Sequence, residues 1–329
     1  MQDFQYEEDD VSPSRERPEI SETLQALDST TEPNSSVLSY GLSDLSPNEL
    51  AALLPVWAHL EADYRRSILK ALADVIEANF EFNYSAFAKA MLNDTDADVR
   101  EAAIELLWED ESIALMDKLI DMTRTGESIA ERAAAANALG NFILRGEMGD
   151  IPEADVTRAQ NAVIALWQNS DEDVEVRRRA LEAISNSSHE IIPEAIEQAY
   201  QSYDQRLQTS AIFAMGRSCD ARWAENVLAE LENESAEFRY EAARAAGELE
   251  LEEALPALSG LAFDEDIDIR DTAIWALGEI GGREAMRVLS LLADDAKARK
   301  DRDLLESVED ALAAANLNSG DLYMMNLDD

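Results

Sequence analysis

The side chains best suited to catalysis or metal binding are few in this sequence and far apart. His59 and His189 are the two histidines, and they fall in distant parts of the chain, which argues against a shared metal site. Cys219 is the single cysteine, and no histidine lies within a helical turn of it to activate a thiolate. The sequence therefore predicts no catalytic residue and no metal site.

Carboxylates are the other candidates for chemistry, but they are too common to single out a pair. The acidic runs at 171–173 and 294–295 lack the alternating aspartates, glycine and final glutamate of a calcium loop. The chain also contains no P-loop, no Rossmann glycine fingerprint and no nucleophile elbow. These observations predict no cofactor and favour a role that is not enzymatic.

The elements that would carry any function come from a repeated unit, clearest between Asp264 and Leu292. Asp266 or Asp268 can cap a first helix, whose apolar residues recur at helical spacing. Gly281 and Gly282 end this helix, and a second amphipathic helix follows. Because neither helix can bury its apolar stripe alone, each pair must stack on another pair.

The repeat recurs along most of the chain, and its clearest copies are about 31 residues apart. Aligned on the arginine early in the first helix, the equivalent positions are Arg66, Arg100, Arg132, Arg177, Gln208, Arg239, Arg270 and Leu305. Eight residues further on, the best copies carry a glycine, at Gly140, Gly216, Gly247 and Gly278. A fixed period with two helices in each unit predicts a solenoid.

At these residues the chain resembles the HEAT-repeat family, most closely its short phycobilisome-lyase-type HEAT-like variant. The resemblance lies in D-x-D-V-R-x-A-A at Asp96 to Ala103 and in the segment from Ile269 to Gly278. It covers residues 47–316. It implies an all-α, right-handed α-solenoid of about eight antiparallel helix pairs, armadillo-like in architecture, with the second helices on the concave face.

The recurring arginines have two interpretations. In one, each guanidinium pairs with an aspartate or glutamate of its own repeat or of the adjacent repeat. In the other, the arginines form a ladder that binds an anionic ligand. The many acidic neighbours favour the first interpretation.

The charge of the chain is extreme, with a formal net charge of −43 and five lysines against 22 arginines. Such a surface repels nucleic acid and anionic lipid, and no apolar run is long enough to insert into a membrane. A basic partner, solubility and a high-salt cytoplasm would each explain the charge. With no secretory signal and one cysteine, we expect a cytoplasmic protein.

The sequence divides into three parts. Residues 1–45 are rich in acidic residues, Ser, Thr and Pro, and this composition predicts a disordered acidic tail. Residues 46–316 predict the solenoid, which opens with a capping box at Ser46 and Glu49. An insertion at 141–156 predicts an extended first helix and a loop, and residues 317–329 form a C-terminal tail.

The function predicted from these features is a protein-interaction scaffold or adaptor that binds a partner, predicted to be basic, on its concave face. Tyr200, Tyr203 and Trp223 lie on or near second helices and are candidate protein-binding residues, although each could also fill the core. The resemblance raises an alternative, a subunit of a bilin lyase or a related chaperone-like factor for phycobiliprotein maturation. The oligomeric state stays open.

Overall fold

The computed structural model describes residues 17–29, 35–78 and 81–318, and every regular element in these ranges is a helix. This confirms the predicted all-α solenoid; its handedness stays a prediction. The chain forms two compact units, Met1–Glu111 and Ser112–Asp329.

The first unit contains six helices in its described residues. Their bounds are α1 Ile20–Ser29, α2 Ser36–Leu42, α3 Pro47–Trp57, α4 Ala62–Ala78, α5 Ser85–Met91 and α6 Ala97–Glu105. Helix α1 packs against α2 and α3, and α6 packs against α4 and α5. Trp57 links two of these helices to a turn, since its indole nitrogen donates a hydrogen bond to Asp94 at 2.9 Å while its ring meets Phe87 edge-on.

The prediction of a disordered tail over residues 1–45 is wrong where α1 and α2 form. Leu27, Leu38 and Leu42 are buried on these helices, and the Tyr84 hydroxyl donates a hydrogen bond to the Ser39 carbonyl at 3.0 Å. The polar composition concealed a few apolar residues at helical spacing, and tertiary burial stabilises such short helices. Residues 1–16 and 30–34 lie outside the described residues.

Capping explains where several helices begin and end. Ser46 and Glu49 form the predicted capping box, and the hydrogen bonds from Ser46 hold the pKa of Glu49 below its ordinary value. Asp266 caps α16 by accepting hydrogen bonds from two backbone N–H groups. That helix ends at Gly281, whose φ of 65° strongly favours glycine.

The second unit contains twelve α-helices among its described residues and two short 3-10 turns, Ala221–Trp223 and Glu252–Ala254. The helices are α7 Ile113–Thr125, α8 Ile129–Glu147, α9 Glu153–Gln168, α10 Val174–Ile184, α11 Ile192–Tyr200, α12 Gln205–Arg217, α13 Ala224–Glu230, α14 Ala236–Glu248, α15 Leu255–Leu261, α16 Ile267–Ile280, α17 Gly282–Arg299 and α18 Arg302–Asn318. Their order gives the succession of helix pairs that the repeat predicts.

The helices of this unit fall into two rows. The first-helix row consists of α8, α10, α12, α14, α16 and α18, and each member packs against the next. The second-helix row consists of α7, α9, α11, α13, α15 and α17. Within residues 112–318, its central members make little or no contact with each other and pack mainly on the first helices.

The recurring glycines explain the close spacing of the first-helix row. A Cβ atom at Gly216 would lie 2.8 Å from the Ala245 Cα, and one at Gly278 would lie 2.9 Å from the Ala311 Cα. The other two glycines of the motif, Gly140 and Gly247, meet an alanine of the next first helix in the same way. Glycine recurs because only a hydrogen atom fits between these helices.

The insertion is confirmed as an extension of α8 followed by a loop. Helix α8 continues to Glu147, and the loop from Met148 to Pro152 leads into α9. An ion pair between Arg145 and Asp150, at 3.3 Å, ties the loop to the end of α8. The predicted C-terminal tail overlaps the end of α18, and residues 319–329 lie outside the described part of the chain.

Candidate protein-binding surfaces

The recurring arginines contact groups of the protein itself, as the first of the two interpretations predicts. Three of them pair with an acid of the following repeat: Arg66 with Asp98 at 3.0 Å, Arg132 with Glu172 at 2.8 Å and Arg239 with Asp264 at 3.5 Å. These ion pairs connect each of the three repeats to the repeat that follows it.

Three further arginines of the register bind the backbone or a neighbouring acid, and Leu305 replaces the arginine with an apolar side chain. Arg100 donates to the Asp94 carbonyl at 2.8 Å, Arg177 donates to the Trp167 carbonyl at 3.2 Å, and Arg270 pairs with the adjacent Asp271. Gln208 replaces the arginine with an amide that donates to the Tyr200 carbonyl at 3.3 Å. The glutamine thus retains one arginine contact without its charge.

The three aromatic residues predicted to bind a partner occupy different surroundings. Tyr203 is fully exposed in the turn after α11, whereas Trp223 is only 9% exposed and lies at the start of the α13 segment. Tyr200 is half-buried, and its hydroxyl donates a hydrogen bond to Glu230. Burial and this carboxylate raise the pKa of Tyr200 to about 12.

No ring contact or hydrogen bond joins any two of these three residues in the described structure. Burial leaves Trp223 little surface for a partner, and Tyr200 is already engaged with Glu230. Tyr203 retains a free aromatic surface. The role of all three in binding stays a prediction.

The histidines and the cysteine each have their own local surroundings. A ring nitrogen of His59 faces the Pro55 carbonyl, and His189 accepts a hydrogen bond from the Ile191 N–H group at 3.2 Å. Cys219 is exposed in a turn. Among the described residues, no cluster of three potential ligands could hold a metal, and no helix is long and apolar enough to span a bilayer.

An open groove of about 500 Å³ lies on the first-helix row of the second unit. We call it the α14–α16 groove, because seven of its eight lining residues lie on these two helices. The lining residues are Arg217, Tyr240, Arg244, Glu248, Asp268, Asp271, Thr272 and Trp275. Sequence reasoning overlooked this site because its residues share a face across three repeats and form no local motif.

Both arginines of the groove are bound by neighbouring side chains. Arg244 lies over the Phe213 ring, 4.0 Å from its centre, and pairs with Glu241 at 2.9 Å. Arg217 approaches the same ring from 5.7 Å and pairs with Glu248 at 3.3 Å. The guanidinium charges of the groove are therefore largely neutralised by the protein itself.

The carboxylates of the groove are less completely satisfied. The Glu248 Oε2 atom is buried without a hydrogen-bond partner, and burial raises the pKa of this residue. Asp268 is exposed, and its side chain makes no hydrogen bond or ion pair with the described residues. Asp271 pairs only with its neighbour Arg270, at 3.0 Å. The groove consequently presents a local excess of negative charge.

Two glycines shape the floor of the groove. The Trp275 ring packs against α14 where a side chain at Gly247 would otherwise stand. The Glu248 carboxylate similarly fills the space that a side chain at Gly216 would need. The glycines that bring the helices together thus also position an aromatic wall and a buried acid.

A second charged cluster lies earlier in the first-helix row, on α10 and α12. Glu182 is 7% exposed on α10 and accepts hydrogen bonds from Arg178 at 3.0 Å, from Arg179 at 2.8 Å and from the Ser210 hydroxyl at 2.5 Å. The hydroxyl bond connects α10 to α12. Since this acid is fully engaged, we interpret the cluster as a structural link between repeats.

Comparison with known proteins supports the repeat architecture. Residues 224–313 match a family model described as HEAT repeats, which confirms the predicted resemblance in this segment. The matched segment contains seven of the eight residues that line the α14–α16 groove, and Arg217 lies before it. No curated protein sequence matches the chain.

Several solved structures resemble the chain at low identity. The CpcE–CpcF complex of phycocyanin lyase from Nostoc is 19% identical over 70% of this chain and 94% of that chain, with a TM-score of 0.45. Importin beta is 12% identical over 90% of this chain and 46% of that chain, with a TM-score of 0.43. Human deoxyhypusine hydroxylase is 19% identical over 82% and 96% of the respective chains, with a TM-score of 0.36. No functional conclusion follows from these similarities.

Proposed function

We propose that this HEAT-repeat protein is a non-catalytic scaffold that binds a basic protein partner on the first-helix row of its second unit. The observation that carries the proposal is the α14–α16 groove, whose arginines are paired with glutamates while the carboxylates of Asp268 and Asp271 remain accessible to solvent. A stack of helix pairs offers a long, prearranged surface of this kind.

The overall charge supports a basic partner over nucleic acid. With a net charge of −43, the protein attracts cations and repels phosphate backbones. Charge complementarity mainly accelerates encounter, whereas a few buried contacts supply most of the affinity. In the α14–α16 groove, the carboxylates would accelerate encounter with a basic partner, and the aromatic walls would supply the buried contacts.

The spacing of the helices supports the choice of face. In a curved stack, the row with the closer spacing lies on the inner side of the curve. The members of the first-helix row approach so closely that glycine is needed at their contacts. We therefore assign the concave face of residues 112–318 to the first helices, in place of the second helices that the resemblance implied.

The test is capture of a partner at low salt from the source organism, followed by kinetic titration of that partner against the full chain. We expect a basic protein whose association rate falls steeply with salt. A variant that lacks residues 1–16 controls for the acidic N-terminus and should bind with a similar rate. A neutral or acidic partner, or a rate that does not depend on salt, would contradict the proposal.

The bilin-lyase alternative predicts a different outcome in a simple mixture. A lyase subunit would change the absorbance of added bilin, or attach it to a phycobiliprotein. A scaffold without a role in pigment handling would leave the spectrum unchanged. No contact among the described residues favours the alternative over the scaffold.

A further inference from the structure

We propose that the α14–α16 groove binds an extended segment of the partner and receives one of its arginine or lysine side chains. This inference rests on the proposed function and specifies its site and chemistry. It places the incoming cation between the groove carboxylates and the ring of Trp275.

The size and walls of the groove suit a side chain with its flanking backbone. About 500 Å³ exceeds the volume of a single ion, and the groove is open to solvent along its length. Tyr240 and Trp275 contribute aromatic surfaces, and Trp275 is 39% exposed. A guanidinium or ammonium group over an exposed aromatic face gains a favourable cation–π interaction.

The charges favour a cationic occupant over an anionic one. Arg217 and Arg244 already contact Glu248 and the Phe213 ring, so an anion would have to compete with these contacts. Asp268 is exposed and unpaired, and Asp271 is paired only with its neighbour. An incoming cation can bind these carboxylates without displacing another interhelical contact.

Apolar surface beside the acids indicates that the occupant is a polypeptide. Ile267 is 60% exposed at the start of α16, one helical turn before Asp271 and two turns before Trp275. This order places apolar, acidic and aromatic groups along one side of the helix. An extended segment with a basic residue beside an apolar residue would match it, and the exposed apolar groups could anchor the segment.

The experiment measures binding of a fluorescent nine-residue peptide of alternating arginine and glycine to the full chain by anisotropy. The test variant carries Asp268→Asn and Asp271→Asn. The control carries Glu252→Gln and Glu253→Gln, which remove the same charge from exposed positions before α15. We expect the dissociation constant to rise about fivefold to tenfold in the test variant and less than twofold in the control.

A third variant, Thr272→Lys, places a cation in the groove and should weaken binding at least as much. All variants are first compared by thermal unfolding, so that a loss of binding is interpreted only for a folded protein. A peptide of alternating glutamate and glycine tests the opposite charge and should not bind. Preferential binding of that peptide would overturn the inference.

The outcomes separate this inference from the proposed function. If the arginine peptide binds but both double variants weaken it equally, the general field of the protein attracts the peptide and the groove is not its site. If a basic partner is captured yet Thr272→Lys leaves its affinity unchanged, the scaffold proposal stands and the groove inference fails. If neither peptide nor partner binds at low salt, both proposals fail.

Discussion

The two rows of helices in residues 112–318 differ in how closely their members pack on one another. The first helices pack directly on one another, and their contacts contain glycine opposite alanine at repeated positions. The second helices pack mainly on the first row; α13 and α15 have seven residues each and follow a 3-10 turn. Close packing therefore determines the sequence of one row more strictly than that of the other.

The glycines of the two rows make this difference measurable. Gly278 on α16 has no room for a Cβ atom, which would lie 2.9 Å from the Ala311 Cα and 3.0 Å from its carbonyl oxygen. Gly260 on α15 has nothing within 4 Å of the corresponding position. Both lie in α-helices of the same unit, so the same substitution can be compared in the two rows.

The largest expected effect is from Gly278→Ala, which should lower the free energy of unfolding by about 1–3 kcal/mol through overpacking against α18. Gly260→Ala should instead raise it, by up to about 1 kcal/mol, because alanine favours the helix. Chemical denaturation of both variants measures these changes. Equal effects of either sign would show that the two rows are packed alike.

A smaller effect concerns two glutamates on α14 whose pKa values move in opposite directions. Burial raises the pKa of Glu241 above its ordinary value of 4.5, despite attraction to Arg244. A hydrogen bond from the Ser235 hydroxyl lowers the pKa of Glu237, which is exposed. Burial thus opposes ionisation of Glu241, whereas the hydrogen bond from Ser235 favours ionisation of Glu237.

The signs of the stability effects follow from these pKa directions. Ionised Glu241 costs stability, and this cost appears as pH rises above its unfolded pKa and is complete above its folded pKa. Ionised Glu237 contributes stability, which is present above its unfolded pKa and is lost as pH falls through its lowered folded pKa. The two carboxyls should therefore respond oppositely to replacement by glutamine.

Denaturation at pH about 7.5 and at pH about 3 tests this expectation in Glu241→Gln and Glu237→Gln. At the higher pH, Glu241→Gln should be more stable than the wild type and Glu237→Gln less stable. Both differences should shrink at the lower pH. A destabilised Glu241→Gln variant at the higher pH would mean that its ion pair with Arg244 outweighs the cost of burial.

The sequence predicted much of the fold because the repeat contains strong local signals. Capping residues such as Ser46 and Asp266 fixed helix starts, and the apolar spacing fixed the buried faces. The helices α1 and α2 escaped prediction because their stability comes from packing of Leu27, Leu38 and Leu42, which local composition does not reveal.

The candidate site was less accessible to sequence reasoning. Tyr240, Asp271 and Trp275 come together only because their helices stack at a particular spacing and rotation. The exposed aromatic Tyr203 could be recognised as a candidate, but the burial of Trp223 depends on tertiary contacts. Pairing of the recurring arginines was predictable, since acidic residues are common around them. The individual partners were not, because Asp98 lies two residues before Arg100 whereas Glu172 lies five residues before Arg177.

The most direct test of the account is carboxylate footprinting of the full chain with and without the arginine–glycine peptide. A carbodiimide and an amine modify exposed carboxylates, and mass spectrometry reports the modification at each residue. If the first-helix row is the binding face, Asp268 and Asp271 become protected, while Glu252 and Glu253 react as before. Protection centred on Glu252, Glu253 or the surroundings of Tyr203, with Asp268 and Asp271 unchanged, would contradict the account.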